Sequence, residues 1–376
     1  MKQYIYADNA ATTRIDADAY HAMQKYLEKE YGNASQVYSF ARETKLALKA
    51  ARECIAKCIN ANPDEIYFTS GGSESDNWAI KGTMLPVEQK NMVVYSNIEH
   101  HAIINACEEV QRHGCEKVEL HADKYGIIST EELESVLTDT TKLVSVMMVN
   151  NEIGTIEPIK ELAAIAHKNH VDIHTDAVQA VGHMLVDVKE LDVDFLSASA
   201  HKFNGPKGVG FLYIKNGKRI APLINGGMQE KGLRAGTENV AGIVGMAVAL
   251  KKNCDELSHN MGYLRQLEEN LLGYLRENKI DFIRNGINHI PGNISLSFAG
   301  VEGEMLLHRL DLKKILISTG SACDSKNVQL SHVIQAIGVD TKYAAGTIRI
   351  SLSKDNTQEE VMMIANAIVD VLVKRV

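Results

Sequence analysis

The sequence lacks long apolar runs and concentrated positive charge. No stretch approaches the ~18 consecutive apolar residues that a membrane-spanning helix needs, so we expect no membrane contact. The formal net charge is −8 at pH 7, and the lysines and arginines do not gather in a basic run, so we expect no nucleic-acid binding. The first residues, Met1–Asp8, lack the apolar core of a signal peptide. These absences favour a cytoplasmic protein.

Cysteine is scarce as well. Six cysteines are spread over 376 residues, which does not make a disulfide framework and favours the reducing cytoplasm. Cys54 and Cys58 lie one helical turn apart, but no second pair follows at metal-ligand spacing. We therefore interpret these cysteines as structural and predict no metal site, with metal binding as a distant alternative.

A polar turn carries the first chemical signal. Two apolar, strand-like runs, Phe195–Leu196 and Val209–Ile214, flank a turn that contains Ser199, His201 and Lys202. Partial burial lowers the pKa of an amine and frees its lone pair, so a lysine in such a turn is a candidate for a Schiff base with an aldehyde. Most lysines at loop tips are solvated charges. The choice between a solvated lysine and a Schiff-base lysine depends on whether the rest of the chain supplies a cofactor site.

Strand-like and helix-like segments alternate over the first 240 residues, which indicates crossover connections and a mostly parallel sheet faced by helices. The predicted strands are 65–69, 92–96, 118–120, 143–149, 171–175 and 194–197. From Val240 to Asn278 the pattern is helical throughout, and we place the domain change near residue 258. We expect a large domain over 16–257 and a small domain formed by 1–15 and 258–376.

Polar clusters follow the predicted strands, where open parallel sheets bind their ligands. Ser70-Gly-Gly-Ser73 joins a strand to a helix predicted from about Trp78, and the free N–H groups of a helix start bind anions. His100, Asn151 and Asp176–Gln179 follow three further strands. Each cluster alone is more often a set of satisfied polar residues.

Taken together, these clusters describe a cage for one cofactor. An aspartate such as Asp176 can pair with a protonated ring nitrogen, and an imidazole such as His100 can stack on a flat ring. With an anion site and the amine of Lys202, they indicate pyridoxal phosphate, a flat, phosphorylated aldehyde.

Several motifs occur in a fixed order along nearly the whole chain. They are Tyr6–Thr13, Phe68–Asn77, Val149–Gly154, His174–Gln179, Ser199–Lys202, Arg234–Glu238 and Ser318–Cys323. In this order the sequence resembles the cysteine desulfurases of the NifS/IscS type, class V aminotransferase-like pyridoxal-phosphate enzymes of fold type I. The resemblance implies an α/β fold with a mostly parallel seven-stranded sheet between helices and a smaller α+β C-terminal domain. It also implies conversion of L-cysteine to L-alanine.

The resemblance implies roles in catalysis and in ring binding. Lys202 would form the Schiff base, Asp176 would face the ring nitrogen, Gln179 would reach the ring hydroxyl, and His100 would stack on the ring. Cys323, on the loop 318–327, would be the nucleophile that holds a persulfide. The sulfur would then pass to an acceptor such as an iron–sulfur cluster scaffold or a tRNA-thiolation protein.

The resemblance also implies how phosphate and substrate are held. The implied phosphate contacts are Gly72, Ser73, Ser199 and His201. Thr237 would add a contact from a neighbouring subunit, which requires a homodimer. Asn151 would lie beside both cofactor and substrate, and Arg349 would hold the substrate carboxylate through a bidentate contact.

Three departures from the family pattern limit these expectations. Ala34 stands where the family usually has proline, and Asp324 follows the nucleophile where threonine is usual. A carboxylate at that position could raise the pKa of the thiol. The sequence ends at Val376, without the longer tail by which housekeeping members contact their scaffold, so the acceptor stays open.

Other functions stay open. Selenocysteine lyase is a narrow variant of the same chemistry, and another fold type I lyase or an aminotransferase would not need Cys323. A non-catalytic interaction protein that retains the fold is the least favoured alternative, because it has little use for Lys202 and Cys323 together.

Overall fold

A seven-stranded sheet forms the centre of the protein in the computed structural model, which describes residues 4–85, 91–319 and 330–373. The strands of the described chain are β1 (Ile5–Tyr6), β2 (Ile66–Thr69), β3 (Met92–Ser96), β4 (Glu116–Leu120), β5 (Thr141–Ser145), β6 (Asp172–Asp176), β7 (Phe195–Ser199), β8 (Gly210–Ile214), β9 (Phe282–Arg284), β10 (Asn293–Phe298), β11 (Ile315–Leu316) and β12 (Thr347–Ser351). The large sheet has the order β2-β8-β7-β6-β5-β3-β4. Strand β8 is antiparallel to both of its neighbours and the other pairs are parallel, which confirms the mostly parallel sheet.

The described chain has helices on both faces of this sheet and further helices that pack in a smaller unit. They are α1 (Ala17–Glu28), α2 (Arg42–Cys58), α3 (Gly72–Met84), α4 (His101–Arg112), α5 (Thr130–Val136), α6 (Ile159–Lys168), α7 (Val188–Leu191), α8 (Val240–Asp255), α9 (Leu257–Glu277), α10 (Gly303–Leu312), α11 (His332–Ala336), α12 (Thr341–Ala344) and α13 (Gln358–Val373). None of the helices in the described ranges is long and apolar enough to cross a membrane.

Neighbouring residues of one strand point into two separate cores. Val93 of β3 packs in a cluster with Trp78 of α3, whereas Val94 packs in the cluster that contains Ile55 of α2. Successive side chains of a strand point to opposite faces, so a strand covered by helices on both sides is apolar at every position. This explains the almost continuous apolar run of β3.

A smaller unit is built from both ends of the described chain. Strands β12, β10 and β9 form an antiparallel sheet, and β1 pairs in parallel with β11. Ala7 shares a core with residues of α9, α10 and α13. The N-terminal segment therefore lies against the C-terminal third, while the exact domain division at residue 258 stays a prediction.

The predicted elements differ from the structure in three places. Helix α3 begins at Gly72 and not near Trp78, because Gly71 turns the chain directly into the helix. The predicted strand 143–149 ends at Ser145, although the chain beyond it still hydrogen-bonds β6 residues. The long helical run is broken at Glu256 into α8 and α9.

Candidate active site

A cavity of about 310 Å³ lies at the carboxyl ends of β6 and β7. The predicted site residues that line it are Gly72, Ser73, His100, Asn151, Asp176, Gln179, Ser199, His201, Lys202 and Arg349. Most of them follow parallel strands, whose carboxyl ends meet at one edge of the sheet. Arg349 comes from β12 of the smaller unit, so the cavity lies between the two parts of the chain.

The amine of Lys202 is held by the N-terminal segment. Lys202 ends a short 3₁₀ turn that joins β7 to β8. Its Nζ donates hydrogen bonds to the carbonyl oxygens of Ala10, at 2.6 Å, and Ala11, at 2.9 Å. Gln179 Nε2 donates to the same Ala10 oxygen at 3.0 Å. The motif Tyr6–Thr13 therefore supplies acceptors that position the predicted reactive amine.

Asp176 is a buried carboxylate that suits a cationic partner. It ends β6, it is only 5% exposed, and one of its oxygens accepts a hydrogen bond from the Val178 N–H at 2.9 Å. Burial raises its pKa, and the nearby His100 and Lys202 oppose that rise. A protonated ring nitrogen facing this carboxylate would restore its charged form.

His100 is fixed as a neutral ring at the start of α4. Its Nδ1 accepts a hydrogen bond from the Ala102 N–H at 3.1 Å, so the ring proton is on Nε2. Burial lowers the pKa of His100, and this favours the uncharged ring. A neutral imidazole on the cavity wall fits the predicted stacking role.

The start of α3 has the features of an anion site. Gly71 has φ +150°, and the helix begins directly after it, so free N–H groups face the cavity edge. A Cβ added to Gly72 would lie 2.7 Å from Cγ2 of Val178, which leaves no space for a larger residue. Ser199 is buried beside this turn, 3.5 Å from where a Cβ on Gly71 would lie.

His201 adds a neutral donor to the anion site. Its Nδ1 is 3.1 Å from Oγ1 of Thr12, and it lines the surface with Ser73 and Ser199. Burial, with the charges of Lys202 and Lys207, lowers the pKa of His201 to about 4. The ring is therefore uncharged at neutral pH, and any contact it makes with a phosphate is a hydrogen bond.

Arg349 is a buried cation with an unused donor. It is 4% exposed, and one terminal nitrogen contacts Asp8 Oδ1 at 2.7 Å while the other donates to the Asn151 carbonyl at 3.1 Å. Its Nε has no hydrogen-bond partner among the described residues. A substrate carboxylate entering the cavity would satisfy this donor.

The sequence analysis missed a buried acidic group beside Asp176. Asp76 of α3 lines the cavity, is 1% exposed, and leaves Oδ1 without a hydrogen-bond partner in the described chain. Burial, and then the charge of Asp176, raises the pKa of Asp76 well above its usual range. The sequence spacing could have indicated this residue. Asp76 lies three residues after Ser73 and therefore on the same face of the helix.

A second missed acid is Glu99. It is fully buried, and its Oε1 accepts hydrogen bonds from Ser96 Oγ at 2.5 Å and from the Met147 N–H at 2.6 Å. Burial raises its pKa well above the usual range. Glu99 does not line the cavity, but its carbonyl oxygen lies 3.0 Å from Nε2 of His332, a cavity residue that the sequence did not suggest.

One predicted site residue does not line this cavity, and another lies outside the described residues. Thr237 is exposed and does not line it, so its predicted role depends on a second chain and stays a prediction. Cys323 lies outside the described residues, as do Asp324 and most of the loop 318–327. Ala34 is buried at 7% exposure and lies away from the cavity lining.

The described features together fit pyridoxal phosphate. They combine an anion site, a flat neutral ring, a buried carboxylate and an amine in one cavity that also holds a buried guanidinium. Arg349 Nε and Asp76 Oδ1 are buried polar atoms without a hydrogen-bond partner among the described residues.

Comparisons with known proteins identify the family of this chain. The family model for class-V aminotransferases matches residues 5–364. The cysteine desulfurase IscS of Dictyoglomus turgidum is 47% identical over 363 residues, which are 96% of this chain and 92% of that protein. The cysteine desulfurase NifS of Azotobacter vinelandii is 39% identical over 360 residues, 95% and 90% of the two chains.

Solved structures give the same result. A NifS-like protein superposes with a TM-score of 0.93 at 37% identity and covers 99% of this chain and 100% of its own. A structure described as SspA in complex with cysteine superposes with a TM-score of 0.83 at 33% identity, covering 94% and 100%. These matches confirm the resemblance and the fold type I architecture. The chain therefore belongs to the class-V aminotransferases, a pyridoxal-phosphate-dependent family, and within it to the cysteine desulfurases of the IscS/NifS type.

Proposed function

We propose that this protein binds pyridoxal phosphate, removes sulfur from L-cysteine to leave L-alanine, and passes the sulfur from Cys323 to an acceptor protein. The observation that carries this proposal is the single cavity in which the Lys202 amine, the Asp176 carboxylate and the Arg349 guanidinium meet. The high identity to cysteine desulfurases over the full chain supports it.

The residues that would hold the cofactor divide by the part they contact. The start of α3, with Ser199 and His201, suits the phosphate, and His100 suits one face of the ring. Asp176 would keep the ring nitrogen protonated, because a buried carboxylate favours a cationic partner. When bound, pyridoxal phosphate supplies an aldehyde that links to an amine and a ring that stores electrons from the substrate Cα.

Lys202 would serve as the base of the reaction. Its Nζ would take the proton from Cα and later return a proton to the product. The carbonyl oxygens of Ala10 and Ala11 accept hydrogen bonds from this nitrogen and limit where it can move. This positioning by a rigid segment is how an enzyme holds a base within reach of its proton.

Arg349 and Asn151 would orient the amino acid. The free Nε of Arg349 and a neighbouring nitrogen present two parallel donors to the α-carboxylate. The Asn151 carbonyl and Asp8 hold the guanidinium of Arg349 in position. The substrate carboxylate would therefore meet a cation whose orientation is already fixed. Orientation of the carboxylate leaves the substrate side chain to face the nucleophile.

The proposed sulfur transfer depends on Cys323. Its thiolate would attack the substrate sulfur, forming an S–S bond as the C–S bond of the substrate breaks. The product is a persulfide on Cys323, and the remaining carbon skeleton is reprotonated to alanine. The role rests on the motif Ser318–Cys323 and on the family, because the residue lies outside the described ranges.

Three parts of the proposal concern partners and place. We propose a homodimer in which Thr237 completes the phosphate site of the neighbouring chain. The acceptor would be an iron–sulfur scaffold or a thiolation protein, and the location would be the cytoplasm. The narrower alternative is selenocysteine lyase activity in addition to desulfuration.

The test is product formation from L-cysteine alone. We expect alanine and sulfide in the presence of a reductant, without any keto acid, and no product from the Lys202→Ala variant. An aminotransferase would need a keto acid and would form a different product from cysteine. Transamination in place of desulfuration, or full activity without Lys202, would overturn the proposal.

A further inference from the structure

One wall of the cavity is built from residues that have no role in the reaction as proposed above. It consists of His101 of α4, Glu152 between β5 and α6, and Ser331 and His332 at the start of α11. All four line the cavity, and Glu152 and Ser331 are buried. Three of the four side chains are titratable, so this group, here called the acid–base wall, can hold or move a proton.

One end of the acid–base wall adjoins the residue proposed to hold the substrate carboxylate. The Ser331 hydroxyl donates a hydrogen bond to Glu152 Oε2 at 2.5 Å, in a buried contact. Glu152 follows Asn151 in the chain, and the carbonyl oxygen of Asn151 accepts a hydrogen bond from Arg349 at 3.1 Å. The wall is therefore linked to the guanidinium of Arg349.

The other end adjoins the residue proposed to stack on the cofactor ring. His332 Nε2 lies 3.0 Å from the carbonyl oxygen of Glu99, the residue before His100. The His101 ring lies edge to face against the His332 ring, with centroids 4.9 Å apart. The acid–base wall thus runs from the proposed ring site to the proposed carboxylate site. The substrate Cα would lie between these two sites, so its side chain can reach the wall.

His332 offers a proton acceptor on this wall. A carbonyl oxygen only accepts hydrogen bonds, so the contact with Glu99 places the proton of the neutral His332 ring on Nε2. Nδ1 then carries a lone pair, and it makes no hydrogen bond with the residues that the structure describes. His100 differs, because its Nδ1 already accepts the Ala102 N–H. Of these two rings, His332 is the one with an unused acceptor.

The proposed reaction needs such an acceptor, because one proton has to move from sulfur to carbon. The Cys323 thiolate and the thiol group of cysteine become a persulfide anion and a methyl group. An S–S bond forms, the C–S bond breaks, and the electron pair of the broken bond stays with the carbon. The S–H proton of the substrate then completes the methyl group. Lys202 would carry the proton of Cα, so the sulfur proton needs a second carrier.

We infer that His332 is this second proton carrier, an inference that rests on the proposed function. Its Nδ1 accepts the S–H proton as the S–S bond forms, and the resulting imidazolium gives that proton to the carbon from which sulfur has left. The ring ends the cycle neutral, so no further reactant is consumed. An imidazole gains and loses a proton readily near neutral pH, and this suits it better to the exchange than a carboxylate such as that of Glu152.

His332→Gln is the first test, because glutamine can still donate to the Glu99 carbonyl but has no basic nitrogen. In the holoenzyme, we expect the cofactor absorbance and its change on addition of L-cysteine to match those of the parent. Alanine formation should slow by about 10²- to 10⁴-fold, in kcat more than in KM. The control is His308→Gln on the exposed surface of α10, which should form alanine at the parental rate. A parental rate in His332→Gln would overturn the inference.

Chemical rescue separates proton transfer from a structural role. His332→Ala leaves space for a free base, and added imidazole should restore much of the lost rate of alanine formation. Pyrrole has the same ring shape and an N–H group but no basic nitrogen, so it should restore nothing. Equal rescue by both compounds, or by neither, would contradict a proton carrier at this position.

Nitrogen NMR of the histidine-labelled holoenzyme checks the ring without measuring activity. The signals that are lost in His332→Gln should show the ring proton on Nε2, and a proton on Nδ1 alone would overturn the inference. The proposed function fails in a different way. A parent protein that forms no alanine from L-cysteine would refute both, whereas equal alanine formation by the parent and by His332→Gln would refute only the role of His332.

Discussion

At the scale of single residues, burial decides the charge that each site residue carries. Burial raises the pKa of Asp76, Glu99 and Asp176 and lowers that of His100 and His201. Lys202 and Arg349 are the basic side chains, other than histidines, that line the described cavity. Asp176 would complement a bound cation, and Arg349 would complement a bound carboxylate. Substitution of either residue should therefore have a large effect on binding.

Arg349→Lys tests the substrate contact. An ammonium cannot reproduce the paired donors of a guanidinium, and the loss of a charge-assisted hydrogen bond costs roughly 1.5–3 kcal/mol. We expect KM for cysteine to rise by about 10- to 100-fold, while cofactor absorbance stays near that of the parent. The control is Arg309→Lys on the exposed surface of α10, which should leave KM unchanged. An unchanged KM in the Arg349 variant would place the carboxylate elsewhere.

Asp76→Asn tests the buried acid through stability. Because the folded-state pKa of Asp76 is raised, the folded protein holds this proton more tightly than the unfolded chain, and stability falls as pH rises above the usual value of 3.8. The Asn variant has no ionisable group at this position and does not lose stability in this way. The free energy of unfolding of the variant minus that of the parent should therefore rise with pH, by at most about 1.4 kcal/mol per pH unit.

The measurement for Asp76 is denaturant unfolding of both proteins at pH 5 and pH 8. The exposed Asp139→Asn is the control and should show a difference that is independent of pH. A flat difference for Asp76→Asn as well would mean that Asp76 is ionised in the folded protein.

At the scale of elements, the sheet was predictable and the segments around it were less so. Strand β3 is an almost continuous apolar run, because a period of two is hidden when both faces of a sheet are covered, whereas β6 carries Asp172, His174 and Asp176. The start of α3 was misplaced because Gly71-Gly72 and Ser73 read as a loop by composition. In the structure the helix begins at Gly72, directly after Gly71 with its φ of +150°.

Gly72→Ala tests the anion site. The added Cβ would lie 2.7 Å from a side chain that is held in the loop after Asp176, so the helix start has to shift. Overpacking of this kind costs roughly 1–3 kcal/mol, and we expect cofactor affinity to fall about tenfold or more in dialysis followed by absorbance. Gly262→Ala in α9 meets nothing within 4 Å and should bind cofactor like the parent. Equal affinity in both variants would contradict the anion site at α3.

At the scale of the whole molecule, the site joins distant parts of the chain. The N-terminal carbonyls of Ala10 and Ala11 and the C-terminal Arg349 meet around Lys202 from the middle of the sequence. Sequence reasoning reached most of these residues by their place at strand ends or by family resemblance. It missed Asp76 and His332, because only the fold shows that they face the same cavity.

The dimer prediction is tested by mixing two defective chains. Lys202→Ala lacks the amine, and Thr237→Ala lacks the proposed contact to the neighbouring phosphate site. If Thr237 acts across the interface, a mixed dimer has one intact site, and random pairing should restore about a quarter of the parental activity at limiting cofactor. No restoration in a proven mixed dimer would contradict the shared site.

The most direct test of the central claim is mass spectrometry of Cys323 after addition of L-cysteine. Trypsin releases this residue in the peptide 315–326, which contains no other cysteine. The account predicts that this peptide gains one sulfur atom, which a reductant removes, and that Cys323→Ser binds cysteine but forms little or no alanine. Sulfur on another cysteine, or alanine formation by Cys323→Ser at the parental rate, would contradict it.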